Sequence, residues 1–232
     1  INYFWFMKII FNYTLFICIL CFISCTKLVT TYPTTNQNLS QMQLMHASPN
    51  VKGIRIWIDD TTEQQVGNYF KSNSHYLNIN PGKRKIEVKL YTTDESIFVE
   101  TKEIKPDAHY SLFASDSQGN FDAFIIEDNH LPIKKDMAQL RIVNCLSTNE
   151  CINATSENIY FFNNIKFKHA TNYQYFSAGE KKISITNSYN HATIIENALV
   201  YLDPGVIYTL YVNGFSNQSG TYSPDAILVV NH

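Results

Sequence analysis

Two long stretches of this chain are one stretch written twice. FKSNSHYLNINPGKRKIEV, Phe70 to Val88, aligns without a gap with FKHATNYQYFSAGEKKISI, Phe167 to Ile185, at an offset of 97 residues. IKPDAHYSLF, Ile104 to Phe113, aligns with LDPGVIYTLY, Leu202 to Tyr211, at 98, and the openings QLMHAS and RIVNCL share that 98. Near the ends DAFIIED, Asp122 to Asp128, meets DAILVVN, Asp225 to Asn231, at 103, so about five extra residues fall in the loop Ser216 to Ser223. A repeat of this length is a duplicated domain, not a solenoid unit, and each copy is long enough to bury its own core. The copies occupy residues 41–128 and 137–232, joined by the connector 129–136, NHLPIKKD.

Within each copy the hydrophobic period is two. Ile54, Ile56 and Ile58 alternate with Arg55 and Trp57; Ile86, Val88 and Leu90 alternate with Glu87 and Lys89; Ile183 and Ile185 follow the same rule. Such runs read as strands with one face inward and one toward water. Turn signals separate them: Asp59-Asp60, Pro81-Gly82, Pro106-Asp107, Gln118-Gly119-Asn120, Ala178-Gly179 and Pro204-Gly205. No window has helical periodicity, and many short strands with frequent turns mean a sandwich or a barrel. Ile104-x-Pro106-Asp107-x-x-Tyr110 and Leu202-x-Pro204-Gly205-x-x-Tyr208 resemble the tyrosine corner of immunoglobulin-like domains, where a Tyr hydroxyl bonds back to the turn before its strand. The expected fold is all-β: two tandem immunoglobulin-like β-sandwich domains.

Residues 1–24 read as a signal peptide, with Met7 the natural start, Lys8 the positive charge and Ile9 to Ile23 the apolar core. That core is short of the ~20 residues a spanning helix needs. Phe22-Ile23-Ser24-Cys25 resembles the lipobox of bacterial lipoproteins. The resemblance implies cleavage before Cys25 and a diacylglyceryl group on its thiol, and two or three acyl chains hold a protein stably to a bilayer where one does not. The alternatives are an ordinary cleaved signal and, read from Ile1, a spanning anchor. Residues 25–40 read as the lipidated, flexible tether, polar and rich in Thr and Asn, with a reach of roughly 20 Å. Thr26 is not the Asp that retains some lipoproteins in the inner membrane, so the expected location is the outer membrane of a Gram-negative envelope. Cys145 and Cys151 remain in an exported chain, as a disulfide candidate or as two unpaired thiols.

The segment Gln43-Leu44-Met45-His46-Ala47-Ser48-Pro49-Asn50, the strand Ile54 to Asp59, Pro81-Gly82 and the Pro/Tyr corner together resemble the domain of unknown function 4397. The match covers 41 to about 128; in the second copy His46-Ala47 becomes Asn144-Cys145 and the Ser-Pro is lost. The resemblance implies an immunoglobulin-like sandwich in the cell envelope and implies no activity.

The residues themselves favour binding over catalysis. Net charge is −2, with no Lys/Arg block, which argues against nucleic acid. The seven His form no zinc-type spacing, there is no G-x-S-x-G elbow, and no glycine-rich phosphate loop occurs, so no cofactor is expected. Asp59-Asp60 is a paired carboxylate that reads better as a hairpin turn. Aromatics crowd the second copy: Tyr160-Phe161-Phe162, Tyr173, Tyr175 and Phe176. Adjacent strand residues point to opposite faces, so Tyr160, Phe162, Tyr173 and Tyr175 are candidates for an exposed platform that stacks on sugars, the alternative being core or interdomain packing. The expected function is a non-catalytic envelope lipoprotein that binds a glycan or an envelope protein; the alternative is a passive structural or adhesive spacer.

Overall fold

The computed structural model describes residues 38–66, 70–118, 120–156 and 159–231. The expected signal peptide, Cys25 and the expected tether as far as Gln37 lie outside the described residues. The first copy contributes β1 (Ser40–His46), β2 (Ile54–Ile58), β3 (Thr61–Val66), β4 (Leu77–Ile79), β5 (Gly82–Leu90), β6 (Ser96–Ile104), β7 (His109–Ser117) and β8 (Asn120–Glu127). The second contributes β9 (Met137–Asn144), β10 (Ile152–Ser156), β11 (Ile159–Ile165), β12 (Gln174–Ser177), β13 (Gly179–Asn187), β14 (Thr193–Leu202), β15 (Ile207–Asn213) and β16 (Asp225–Asn231). Among the described residues no helix is long and apolar enough to cross a membrane.

The strands form four sheets: A (β4-β1-β7-β8), B (β3-β2-β5-β6), C (β12-β9-β15-β16) and D (β11-β10-β13-β14). Sheets A and B enclose one apolar core, with Leu44, Leu112 and Tyr110 from A meeting Ile54, Ile56, Ile86 and Val88 from B. Sheets C and D enclose a second, where Leu140, Ile142 and Leu210 meet Ile152, Ile183, Ile185 and Leu202. The β2 and β13 alternation has this cause: their Ile side chains fill the cores while Arg55, Trp57 and Ser184 face away. Asp59 and Asp60 form the β2–β3 turn with φ of 48° and 65°, the paired left-handed geometry whose twist suits a two-residue hairpin.

Both tyrosine corners are present. The Tyr110 hydroxyl accepts from Lys105 N at 3.0 Å, and the Tyr208 hydroxyl accepts from Asp203 N at 3.1 Å while donating to Asp203 Oδ2 at 3.0 Å. Each ring is buried in its core and its polar tip is satisfied, a bond contributing on the order of 1 kcal/mol.

The connectivity differs from the immunoglobulin expectation. In that order the first strand lies beside the second; here β1 lies between β4 and β7, parallel to β7 with Leu44 opposite Leu112. The cause is the segment after β1, which crosses to the other sheet instead of turning back. Ser48 donates to Asp116 Oδ1 at 2.7 Å and Asn50 N to Asp116 Oδ2 at 3.2 Å, fixing this crossing to the end of β7. Desolvation raises the Asp116 pKa above the ordinary carboxylate value.

Candidate functional site

The candidate aromatic platform is not assembled. Phe162 is 5% exposed and belongs to the second core, where Phe161 and Phe176 pack on it with ring centroids 5.1 and 6.4 Å away. The β10–β11 ladder slips register between Ile152 and Ala154 and again between Ala154 and Thr155. Such bulges re-aim side chains, so Phe161 and Phe162 both reach the core although they are adjacent. Tyr173 is 4% exposed, lies with its ring 4.8 Å from the Arg141 guanidinium, and burial pushes its hydroxyl well above the usual phenol range. Tyr175 is half-buried; its hydroxyl donates to Pro132 O, and Lys134 Nζ sits 3.9 Å over its ring, which ties down the connector. The Tyr160 side chain lies outside the described residues.

Cys145 and Cys151 are both free thiols, so the disulfide candidate is not formed. Cys145 is buried between the two sandwiches beside Phe113 and Tyr211. Cys151, partly exposed, points instead to Tyr189 Oη at 3.7 Å. Asp59 and Asp60 pair with Arg84 and Lys85, each at 2.9 Å, as ordinary turn carboxylates.

What sequence reasoning missed is the contact between the copies. The outward face of sheet A packs on that of sheet C through Met45, Ala47, Phe113 and Phe124 on one side and Val143, Cys145, Tyr211 and Val229 on the other. Phe113 and Tyr211, equivalent at offset 98, have ring centroids 5.8 Å apart. The ion pairs are reciprocal. Lys71 Nζ reaches Asp225 at 2.6 Å, and Lys168 Nζ, its equivalent, reaches Asp122, the equivalent of Asp225, at 2.9 Å. This is an isologous contact, self-complementary as between two subunits of a symmetric dimer. The signal available in the sequence is that β1, β7, β9 and β15 carry apolar residues on both faces.

At the centre the reciprocity is chemical but not electrostatic. Arg141 Nη2 donates to Asp128 Oδ1 at 2.5 Å and to Ser111 Oγ at 3.0 Å, and Nε donates to Thr209 Oγ1 at 2.8 Å. The equivalents of Arg141 and Asp128 are Gln43 and Asn231, both neutral; Asn231 accepts from Thr209 at 2.6 Å and donates to the Tyr76 hydroxyl at 3.1 Å.

Where the two sheets end, the loops of both copies border an open cleft of about 580 Å³, a size small-molecule sites commonly have. Asn50 and Gln118 come from the first copy; Ser147, Thr148, Phe215, Asn217 and Gln218 come from the second. No charged side chain lines it among the described residues. The rim is held across the copies by Gln118 N donating to Ser147 O and Asn149 Nδ2 donating to Ser117 Oγ, both at 2.9 Å. Ser147 is fully buried, and its hydroxyl has no partner among the described residues.

The fold and the cleft define a class: a tandem all-β-sandwich chain with a neutral, amide-lined cleft between its copies. Residues 40–150 match the model of a family described as Domain of unknown function (DUF4397), which takes in the first sandwich and the strand that opens the second. No curated protein matches. Solved structures are similar at low scores, three of them as follows. A family 26 carbohydrate-binding module of Eubacterium rectale Amy13K, crystallised with maltoheptaose, is 9% identical over 84% of this chain and 97% of that one, with a TM-score of 0.26. A leucine-rich repeat protein of Bacteroides thetaiotaomicron is 11% identical over 79% of this chain and 27% of its own, with a TM-score of 0.23. A Bacteroides uniformis protein, provisionally described as a cell adhesion protein, is 7% identical over 84% and 98%, also at 0.23.

Proposed function

We propose that this chain is a non-catalytic lipoprotein of the cell envelope that binds an uncharged glycan in the cleft between its two sandwiches. The observation that carries the reading is the lining. Four amide residues, Asn50, Gln118, Asn217 and Gln218, line it together with Ser147, Thr148 and Phe215, and none of these side chains carries a charge. Amides and hydroxyls donate and accept at once, which matches sugar hydroxyls and gives a charged ligand no counter-charge. Affinity electrophoresis through gels containing glycogen, mixed-linkage β-glucan, mannan or polygalacturonate tests it. A neutral polymer is expected to retard the protein, and Asn217→Ala to weaken retardation roughly tenfold, about one hydrogen bond. Retardation by none of the neutral polymers would favour the spacer reading. The specific observation on that side is β14, an edge strand of sheet D with Leu199 62% and Tyr201 63% exposed, an edge open to another protein.

Cys25 carries the anchor in this reading, and the lipobox-like Phe22 to Cys25 supports it. Cys25→Ala is expected to move the protein from the membrane to the soluble fraction and to block removal of residues 1–24. A variant that stays in the membrane fraction would overturn the anchor, and density-gradient separation of inner and outer membranes tests the outer-membrane location.

A further inference from the structure

The two-fold relation between the copies is broken most at the cleft. Asn50 and Thr148 are equivalents at offset 98, as are Gln118 and Ser216, so the two rims begin alike. Thr148 Oγ1 and Ser216 Oγ lie 3.1 Å apart and close one side. Ser117 pairs with Asn120 where β7 meets β8, whereas the counterpart segment carries the chain's five-residue excess between β15 and β16. That longer loop supplies Phe215, Asn217 and Gln218 to the lining. The first copy has Ser117 where the second has Phe215, so only one wall is aromatic.

The loop is built to hold its shape. Gly214 adopts φ +91°, and a Cβ there would lie 2.5 Å from Ser223 O, so the two ends of the loop touch backbone to backbone. Phe215 N donates to Tyr222 O at 3.0 Å across this base. A single 3-10 turn, Gly220–Tyr222, follows, and the Tyr222 ring rests 6.5 Å from Phe70 of the first sandwich. A wall fixed at its base and braced across the copies loses little entropy when a ligand arrives.

Resting on the glycan reading above, we infer that the loop 214–223 is the specificity element of the cleft and that Phe215 is the residue on which an uncharged sugar ring stacks. Phe215 is half-buried and lines the cleft, so part of its ring is within reach of a ligand there. An aromatic face packs against the C–H face of a pyranose, while amides on either side take its equatorial hydroxyls. This arrangement selects neutral hexoses or pentoses with a flat apolar face and disfavours uronic acids, which find no cation.

The test is affinity electrophoresis on glycogen, mixed-linkage β-glucan, mannan and polygalacturonate with wild type, Phe215→Ala and Phe215→Tyr, each checked for an unchanged melting temperature. Wild type is expected to be retarded by at least one neutral polymer and not by polygalacturonate. Phe215→Ala is expected to bind that polymer roughly tenfold or more weakly, with Phe215→Tyr close to wild type. If wild type is retarded and Phe215→Ala is retarded equally, the stacking assignment is overturned while the glycan reading stands. If no neutral polymer retards wild type, both are overturned. Should Phe215→Ala melt lower, Phe215→Leu, which keeps the apolar bulk and removes the ring, gives the same readout, with the same consequences.

Discussion

Arg141→Gln is expected to destabilise the protein by about 3–5 kcal/mol, and adding Asp128→Asn is expected to restore most of it. Arg141 is 2% exposed and Asp128 5% exposed, so removing the cation strands a buried carboxylate. The equivalent pair, Gln43 and Asn231, shows that the same position can be built neutral. Asn231 there accepts from Thr209 and donates to Tyr76. In the Asp128→Asn variant the amide oxygen would likewise accept from Ser111, which already donates to the carboxylate of Asp128. A buried ion pair is costly to break and often nearly neutral to replace as a pair, so the coupling between the two substitutions is the quantity to measure. Urea denaturation of the wild type, the two single variants and the double variant gives it. If the single effects simply add, the pair is not coupled and the role given to Arg141 at the interface is wrong.

Acid should weaken the fold through His46. The residue is fully buried, and burial lowers its pKa to about 4 from the ordinary 6.5. The sign follows from which state holds the proton. Above pH 6.5 the ring is neutral folded and unfolded, and its contribution is complete. Between 6.5 and 4 the unfolded chain takes up a proton that the folded chain refuses, so stability falls with pH and levels off below 4. The loss across the window is about 3 kcal/mol. Asp116, whose carboxyl burial raises, works in the opposite direction at the lower end, so the clean measurement is a difference. His46→Asn, which installs the residue found at the equivalent Asn144, keeps Asp116 and removes the imidazole. The stability of this variant relative to wild type is expected to rise by about 2 kcal/mol or more, close to the size of that loss, between pH 7.5 and pH 4.5. A difference that does not change with pH would mean that folding does not depress the His46 pKa.

What could be read in advance was whatever a few neighbouring residues decide. The tyrosine corners need only a turn, a strand start and a ring, so Tyr110 and Tyr208 were legible whichever way the strands connect. Asp59-Asp60 is a hairpin for equally local reasons. The position of β1 was not legible, because its parallel pairing with β7 joins residues 68 apart, Gln41 opposite His109, and nothing in the Ala47 to Gly53 segment states which sheet it enters. The platform expectation failed at Phe161-Phe162, where strict alternation was assumed and two bulges suspend it. The cleft was illegible for another reason. Its residues, Asn50, Gln118, Ser147 and Asn217, are ordinary loop residues one at a time and become a site only when two copies bring their loops together. The one clue in the sequence was the five-residue excess after Ser216, visible as a change of offset.

Symmetric dimers are under a constraint that this chain has escaped. When two identical subunits meet, any substitution appears on both sides of the axis, so a cation placed at the centre faces a second cation. Covalent joining lets each half mutate alone. Arg141 could arise opposite Asp128 while Gln43 and Asn231 stayed neutral, and one loop could lengthen while its partner stayed short. A pocket on a true two-fold axis accepts its guest in two indistinguishable orientations. With Phe215 on one wall and Ser117 at the matching position of the other, a directional polymer threading this cleft would meet different chemistry at its reducing and non-reducing ends, and the duplicated chain could tell them apart.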